Sequence, residues 1–199
     1  MVECWVLASS NAGKLKELRA LLDELDIEIV SQADFEVGDA IEDGIAFIDN
    51  ALIKARHAAA ATDLPAIADD SGLVVDALGG EPGIHSARFA GHHGDDAANN
   101  ALLIERLVGV TESDRSAAFH CCVVAIRDAR DPAPVIAHGI WRGKILNAPR
   151  GEAGFGYDPL FWIPEENASA AELTSQRKNA ISHRGQAMRQ LIEQLRGRR

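Results

Sequence analysis

The chain opens with a short apolar run, Trp5-Val6-Leu7-Ala8, followed by polar Ser9-Ser10-Asn11. Leu15, Leu18, Leu21, Leu22 and Leu25 then recur at steps of three and four, the spacing of one helix face. Residues 27–30 form a second short apolar run. A strand, a polar turn, a helix and a strand in succession predict α/β architecture. The alanine-rich stretch 46–62 predicts a long helix. Pro65-Ala66-Ile67-Ala68 predicts a short buried strand that ends in Asp69-Asp70-Ser71-Gly72, and glycine-rich residues 78–94 predict a long functional loop. Residues 95–108 read as helix. Residues 116–126 and 135–144 predict a hairpin turning around Asp131-Pro132. The last predicted helix spans 183–196, with Ser182 as its N-cap. Parallel-type and hairpin segments together predict a mixed sheet. No internal repeat or linker-like tract appears, so the 199 residues are expected to form one domain, at most with a modest second lobe.

Composition narrows the class. With 47% hydrophobic and 25% charged residues, the chain reads as globular, which excludes disordered and fibrous classes. No run reaches the roughly 18 apolar residues of a membrane span, so no membrane partner is expected. Met1-Val2-Glu3-Cys4-Trp5 lacks a basic segment leading into a long apolar run, so the expected setting is the cytosol. Thirty acids against 20 bases give a net charge of −10, which disfavours nucleic-acid backbones as partners. A small polyanion still fits, given local lysines and arginines and a metal ion. Cys4, Cys121 and Cys122 form no C-x-x-C and read as small buried apolar residues.

Three clusters carry chemistry. Ser9-Ser10-Asn11-Ala12-Gly13-Lys14 joins a strand to a helix, where free N–H groups attract phosphate. Lys14 in a first helical turn opposes the helix dipole, a penalty that a bound anion offsets. The pattern is not a P-loop, and a simple cap with a solvated lysine is the alternative. In the second cluster, Asp69 and Asp70 follow an apolar strand, at the strand end where α/β folds place ligands. Adjacent strand positions face opposite ways, so the two acids are expected to have different roles, unless the turn begins between them. Glu42 is a third candidate acid, and Mg²⁺ takes carboxylates, water and substrate phosphates. Lys54 lies on the apolar face of the alanine-rich helix with Asn50 beside it, where a lysine either snorkels or meets an anion.

The third cluster is Gly154-Phe155-Gly156-Tyr157-Asp158-Pro159, two aromatics and an acid in a glycine-rich loop. An aromatic face stacks on a nucleobase for about 1–3 kcal/mol. Lys178 and Ser182-His183-Arg184 supply donors for a carbonyl or anion. Phe155 and Tyr157 are alternatively core anchors. His92-His93 lacks the ligand spacing of a metal site and reads as solvated loop.

Together these motifs resemble the inosine/xanthosine triphosphate pyrophosphatases over nearly the full length. The marks are Ser9 to Lys14, Phe47-Ile48-Asp49-Asn50-Ala51 with Lys54-Ala55-Arg56, Ala68-Asp69-Asp70-Ser71-Gly72-Leu73, Gly79-Gly80-Glu81-Pro82-Gly83, Ser86-Ala87-Arg88, Gly154 to Pro159 and Ser182-His183-Arg184-Gly185. The resemblance implies an elongated mixed α/β fold with flanking helices in two lobes, the site in a cleft between them, and a homodimer. It implies Mg²⁺-dependent hydrolysis of deaminated purine triphosphates to monophosphate and pyrophosphate, cleansing the nucleotide pool. Carried onto this chain, Asp70 is the proton acceptor and, with Glu42, a metal ligand. Asp69 completes the acidic centre, and Lys14 and Lys54 hold phosphates. Ser9, Ser10, Asn11, Ala12, Gly13 and Ser71 belong to substrate-binding turns. Phe155, Gly156, Tyr157, Asp158, Lys178, His183 and Arg184 form the base pocket. His85, Phe89 and Gln176-Arg177 depart from the family's common residues. Competing readings are a pyrophosphatase for modified pyrimidine nucleotides, a non-catalytic nucleotide-binding module, and an aspartyl-phosphate phosphatase built on Asp69-Asp70.

Overall fold

A computed structural model describes residues 3–9, 15, 19, 22 and 27–197. Its strands are β1 (Glu3–Leu7), β2 (Ile27–Ser31), β3 (Ala66–Val75), β4 (Ser116–Ile126), β5 (Val135–Ile145), β6 (Phe161–Ile163) and β7 (Ala168–Ser169). The helices are α1 (Phe47–Thr62), α2 (Asp96–Arg106), α3 (Ser175–Ile181) and α4 (His183–Arg196). Leu15, Arg19 and Leu22 are helical, while the rest of the first predicted helix lies outside the described residues. The strands form one mixed sheet in the order β2-β1-β3-β4-β5-β6-β7. β1 runs parallel to β2 and β3, and β6 runs antiparallel to β5 and β7.

The chain divides into two compact units. The first comprises Met1–Asp70, Cys121–Gly139 and His183–Arg199, and the second Ser71–His120 and Ile140–Ser182. In the first unit the two-residue period of the strands builds a core on each sheet face. Trp5, Leu7, Ile67, Cys121 and Val123 pack with Ala187, Met188, Leu191 and Ile192 of α4. Their chain neighbours Val6, Ala8, Ala66, Ala68, Cys122 and Val124 pack with Ala51, Ala55, Ala58 and Ala59 of α1. Alanines there bring the α1 backbone close to the sheet, where larger side chains would hold it away. Asp49 caps α1 by accepting the N–H groups of Ile45 at 3.2 Å and Ala46 at 3.0 Å. The second unit has its own core of Leu73, Val75, Leu103, Leu107, Tyr157 and Leu160 around an aromatic group. Within that group Phe161 lies 4.6 Å from Phe119 and 5.2 Å from Trp141, ring centre to ring centre.

One predicted boundary is corrected. β3 does not stop before Asp69 but continues through Asp69-Asp70-Ser71-Gly72 to Val75. Turn chemistry is overridden because both acids find buried partners, as described below. Residues 78–94 are not one open loop but include 3₁₀ turns at Asp76–Leu78 and Gly83–Arg88.

The β4–β5 turn is fixed by Asp131, only 3% exposed. Its carboxylate accepts the backbone N–H of Arg127 at 3.0 Å and of Ala133 at 2.9 Å, and it holds the Arg127 guanidinium. The hydrogen bond from the Arg127 side chain leads the set of interactions that hold the Asp131 carboxyl well below the usual carboxylate range. A group depressed in the folded state stabilises above its unfolded value, about 3.9, and that stabilisation is lost as pH falls through the folded value. Asp131→Ala is expected to destabilise by about 2 kcal/mol at pH 7 and by less at pH 3, measured by urea unfolding of both proteins.

Candidate active site

β3 delivers its two acids to opposite faces, as the pleat requires. Asp70 shares the face of Ala66 and Ala68 and meets α1; Asp69 shares the face of Ile67 and meets α4. Lys54, on α1, places its ammonium 2.8 Å from Asp70 Oδ1 and 3.3 Å from Glu42 Oε2. Asn50, one turn earlier on the same helix, donates from Nδ2 to Asp70 Oδ2 at 3.3 Å. Burial lowers the Lys54 ammonium, but the carboxylates of Asp70, Asp69 and Glu42 more than offset that, so it is held above its ordinary value. Lys54 therefore does not snorkel to solvent. Beneath these acids, burial and then the charges of Asp70 and Asp69 push the Cys122 thiol up to about 11, which keeps it protonated and unreactive at neutral pH.

On the other face Arg184 Nε lies 3.6 Å from Asp69 Oδ2, both side chains being buried. Arg184 follows His183 at the start of α4, and both are buried. Gly139 in β5 makes that approach possible. A Cβ there would overlap the His183 carbonyl oxygen and come 2.9 Å from Ala187 N.

In the second unit the Gly154–Pro159 loop closes on itself. Asp158 Oδ2 accepts the Phe155 N–H at 2.9 Å and the Lys178 ammonium at 2.6 Å. Lys178 Nζ also lies 4.8 Å from the centre of the Phe155 ring. Gly154 has φ +81° and a Cβ there would overlap Asp158 Oδ2, so glycine is required on both counts. Tyr157 belongs to the core, its hydroxyl donating to Ser86 O at 2.8 Å. The Gly156 N–H donates to Asp96 Oδ2 at 2.6 Å, and the Asn100 amide donates to Gly156 O at 2.8 Å. Those anchors on α2 were not anticipated from the sequence. Asp96 and Asn100 share one face of a polar helix start, but nothing local marks a contact 56 to 60 residues away.

The residues expected from the sequence thus fall into two sets. Glu42, Lys54, Asp69, Asp70, His183 and Arg184 lie in the first unit, with Ser9 at the end of β1. Ser71, Phe155, Gly156, Tyr157, Asp158 and Lys178 lie in the second. His183 and Arg184, grouped in the sequence with the aromatic loop, belong to the unit of the acids, and Arg184 is engaged with Asp69. Ser10, Asn11, Ala12, Gly13 and Lys14 lie outside the described residues. Ser182, expected as a cap, lies buried between α3 and α4, its N–H donating to Lys178 O at 2.8 Å.

Among the described residues no group of three or more His, Cys, Asp or Glu gathers as a metal cage. Glu42 and Asp70 nevertheless converge on one ammonium. Two carboxylate donors suit Mg²⁺, which completes its shell with water and phosphate oxygens rather than protein.

Such a structure defines an α/β protein with buried acids, each paired to a base from a flanking helix. A Ham1 family model matches residues 5–194. Over 191 residues the chain is 54% identical to a dITP/XTP pyrophosphatase of Shigella flexneri, covering 96% of this chain and 97% of that one. Identity to the dITP/XTP pyrophosphatase of Vibrio cholerae is 53% over 188 residues, 94% of each chain. The solved Ham1 protein from Coxiella burnetii superposes with a TM-score of 0.91 at 50% identity, covering 99% of this chain and all of that one. The chain belongs to the Ham1 family.

Gly139→Ala is expected to cost about 1–3 kcal/mol by overpacking the start of α4. Thermal unfolding measures that cost. Loss of protection at the Ala187 amide in hydrogen exchange locates it.

Proposed function

We propose that the chain hydrolyses deaminated purine nucleoside triphosphates, those of inosine, deoxyinosine and xanthosine, to the monophosphate and pyrophosphate. The observation that carries this reading is the half-buried contact of Lys54 with both Asp70 and Glu42, in a chain matched over nearly its full length by dITP/XTP pyrophosphatases. A carboxylate beside a fixed cation suits proton abstraction from water next to a polyanion.

In this mechanism Asp70 accepts the proton of the water that attacks the α-phosphorus. The bond between that phosphorus and the oxygen bridging to the β-phosphate breaks, and pyrophosphate leaves. Lys54 offsets the negative charge gathering on the leaving group, and Lys14 does the same from the first turn. Glu42 and Asp70 would hold Mg²⁺, which when bound neutralises phosphate charge. Asp69 keeps Arg184 in place, and the motifs Ser9 to Gly13 and Ser71 are the expected substrate-binding turns. Phe155 offers its ring to the base, while Lys178 and His183 present donors to O6. Asp158 accepts the N1 proton that hypoxanthine and xanthine carry and adenine lacks. Tyr157 and Gly156 shape that loop.

A cytosolic setting and a homodimer complete the reading. The homodimer rests on the family resemblance, and light scattering measures it.

Two measurements test the function. A triphosphate panel with Mg²⁺ is expected to show the inosine and xanthosine compounds turned over far more efficiently than ATP, with pyrophosphate released and activity lost on chelation. Equal efficiency on ATP, or release of orthophosphate, defeats the reading. Asp70→Asn is expected to keep the fold, with a lowered melting temperature because Lys54 loses its 2.8 Å ion pair, and to lose most turnover; near-normal turnover refutes the assignment of Asp70.

A further inference from the structure

Asn50 is 1% exposed, and its side-chain amide is engaged in two opposite senses. Oδ1 accepts the Gly44 N–H at 3.0 Å, and Nδ2 donates to Asp70 Oδ2 at 3.3 Å. The first bond dictates the second. A backbone N–H only donates, so Oδ1 must face Gly44 and the NH₂ group must face Asp70. An NH₂ group in turn requires an acceptor, which is Asp70 Oδ2. Lys54 takes the other oxygen, Oδ1. Asp70 is therefore held at both oxygens by donors four residues apart on α1. Gly44 lies two residues beyond Glu42, so the same amide ties the Glu42 segment to Asp70. A Cβ at Gly44 would come within 2.6 Å of Asn50 Oδ1 and 2.5 Å of Asp49 Cβ, so a bare backbone is needed for this approach.

We propose that Asn50 is a positioning residue for hydrolysis: it fixes the plane of the Asp70 carboxylate and sets the Glu42 segment in register with it. This rests on the pyrophosphohydrolase reading. A fixed acceptor avoids reorganisation as the reaction proceeds, and oriented partners of this kind change rates by about 10–100-fold when removed.

The test separates the two bonds. Asn50→Asp keeps the acceptor for Gly44 and replaces the donor to Asp70 with an oxygen. The expected result is a kcat on inosine triphosphate lowered about 10–100-fold with KM little changed, a lowered melting temperature because two buried carboxyl groups then face each other, and a Gly44 amide still slow in hydrogen exchange. Asn50→Ala is expected to lower kcat similarly and to speed exchange at Gly44. In an Asp70→Asn background, Asn50→Asp should cost almost nothing further, because the group it orients has been removed. Near-normal kcat in Asn50→Asp overturns the proposal. So does a loss that adds in full to that of Asp70→Asn, or a variant that unfolds, since either makes Asn50 a purely structural residue. An inactive wild type sinks the function itself; an active wild type with an equally active Asn50→Asp sinks only this inference.

Discussion

A lysine ammonium buried against carboxylates is the constraint from which the rest of the first unit follows. The Lys54 side chain is 13% exposed, against 8% for Asp70 and 29% for Glu42. Removing either partner leaves a charge stranded away from water, a defect worth several kcal/mol. α1 must therefore place residue 54 over the sheet at the level of Asp70, and the buried alanines let it come that close. The pair is weak evidence for stability, since well-packed apolar residues would do as well. In the proposed function the pair serves chemistry: it holds an anion and a cation side by side where a substrate with several negative charges would bind.

The sheet pleat divides the labour of the two adjacent acids. Asp70 points to α1 and meets Lys54 and Asn50; Asp69 points to α4 and meets Arg184. One strand thus fastens a helix on each face through consecutive residues, and each acid has a base to offset its burial. Two like charges in sequence are tolerable because the strand aims them apart. Gly139 serves the same end on the α4 side by leaving room for the His183 carbonyl.

Much of this was legible in the sequence, and the gaps have physical causes. Alanine content located α1, β-rich composition the β4–β5 hairpin, and a capped polar–apolar segment α4, almost to the residue, because long segments of consistent propensity carry their own signal. Different roles for Asp69 and Asp70 also followed from period two alone. The continuation of β3 did not, since Asp-Asp-Ser-Gly is poor strand material by propensity and its extension depends on long-range partners, the neighbouring strands and the bases that meet Asp69 and Asp70. β6, β7 and α3 are too short to stand out from their surroundings. Asn50 was visible beside Lys54, but its bond to Gly44 depends on how an irregular segment folds back. The contact of Arg184 with Asp69 is long-range, and nothing in its sequence neighbourhood signals it.

The aromatic loop of the second unit follows the same logic of prior commitment. Lys178 is gripped by Asp158 at 2.6 Å and lies over the Phe155 ring, while Asp158 also closes the loop through the Phe155 N–H. A donor and an acceptor are thus fixed side by side on a rigid turn that Asp96 and Asn100 anchor from outside. A base offering a carbonyl next to a ring N–H matches that pair, whereas one offering an amino group next to a bare nitrogen meets donor with donor and acceptor with acceptor. Buried mismatches of that kind reach about 10⁴-fold discrimination, because the polar groups are left unpaired out of water. In the proposed function, selectivity would come from the fixed pairing of Asp158 with Lys178. A flexible lysine could turn to suit either base, and the ion pair with the ring beneath it is what denies that freedom.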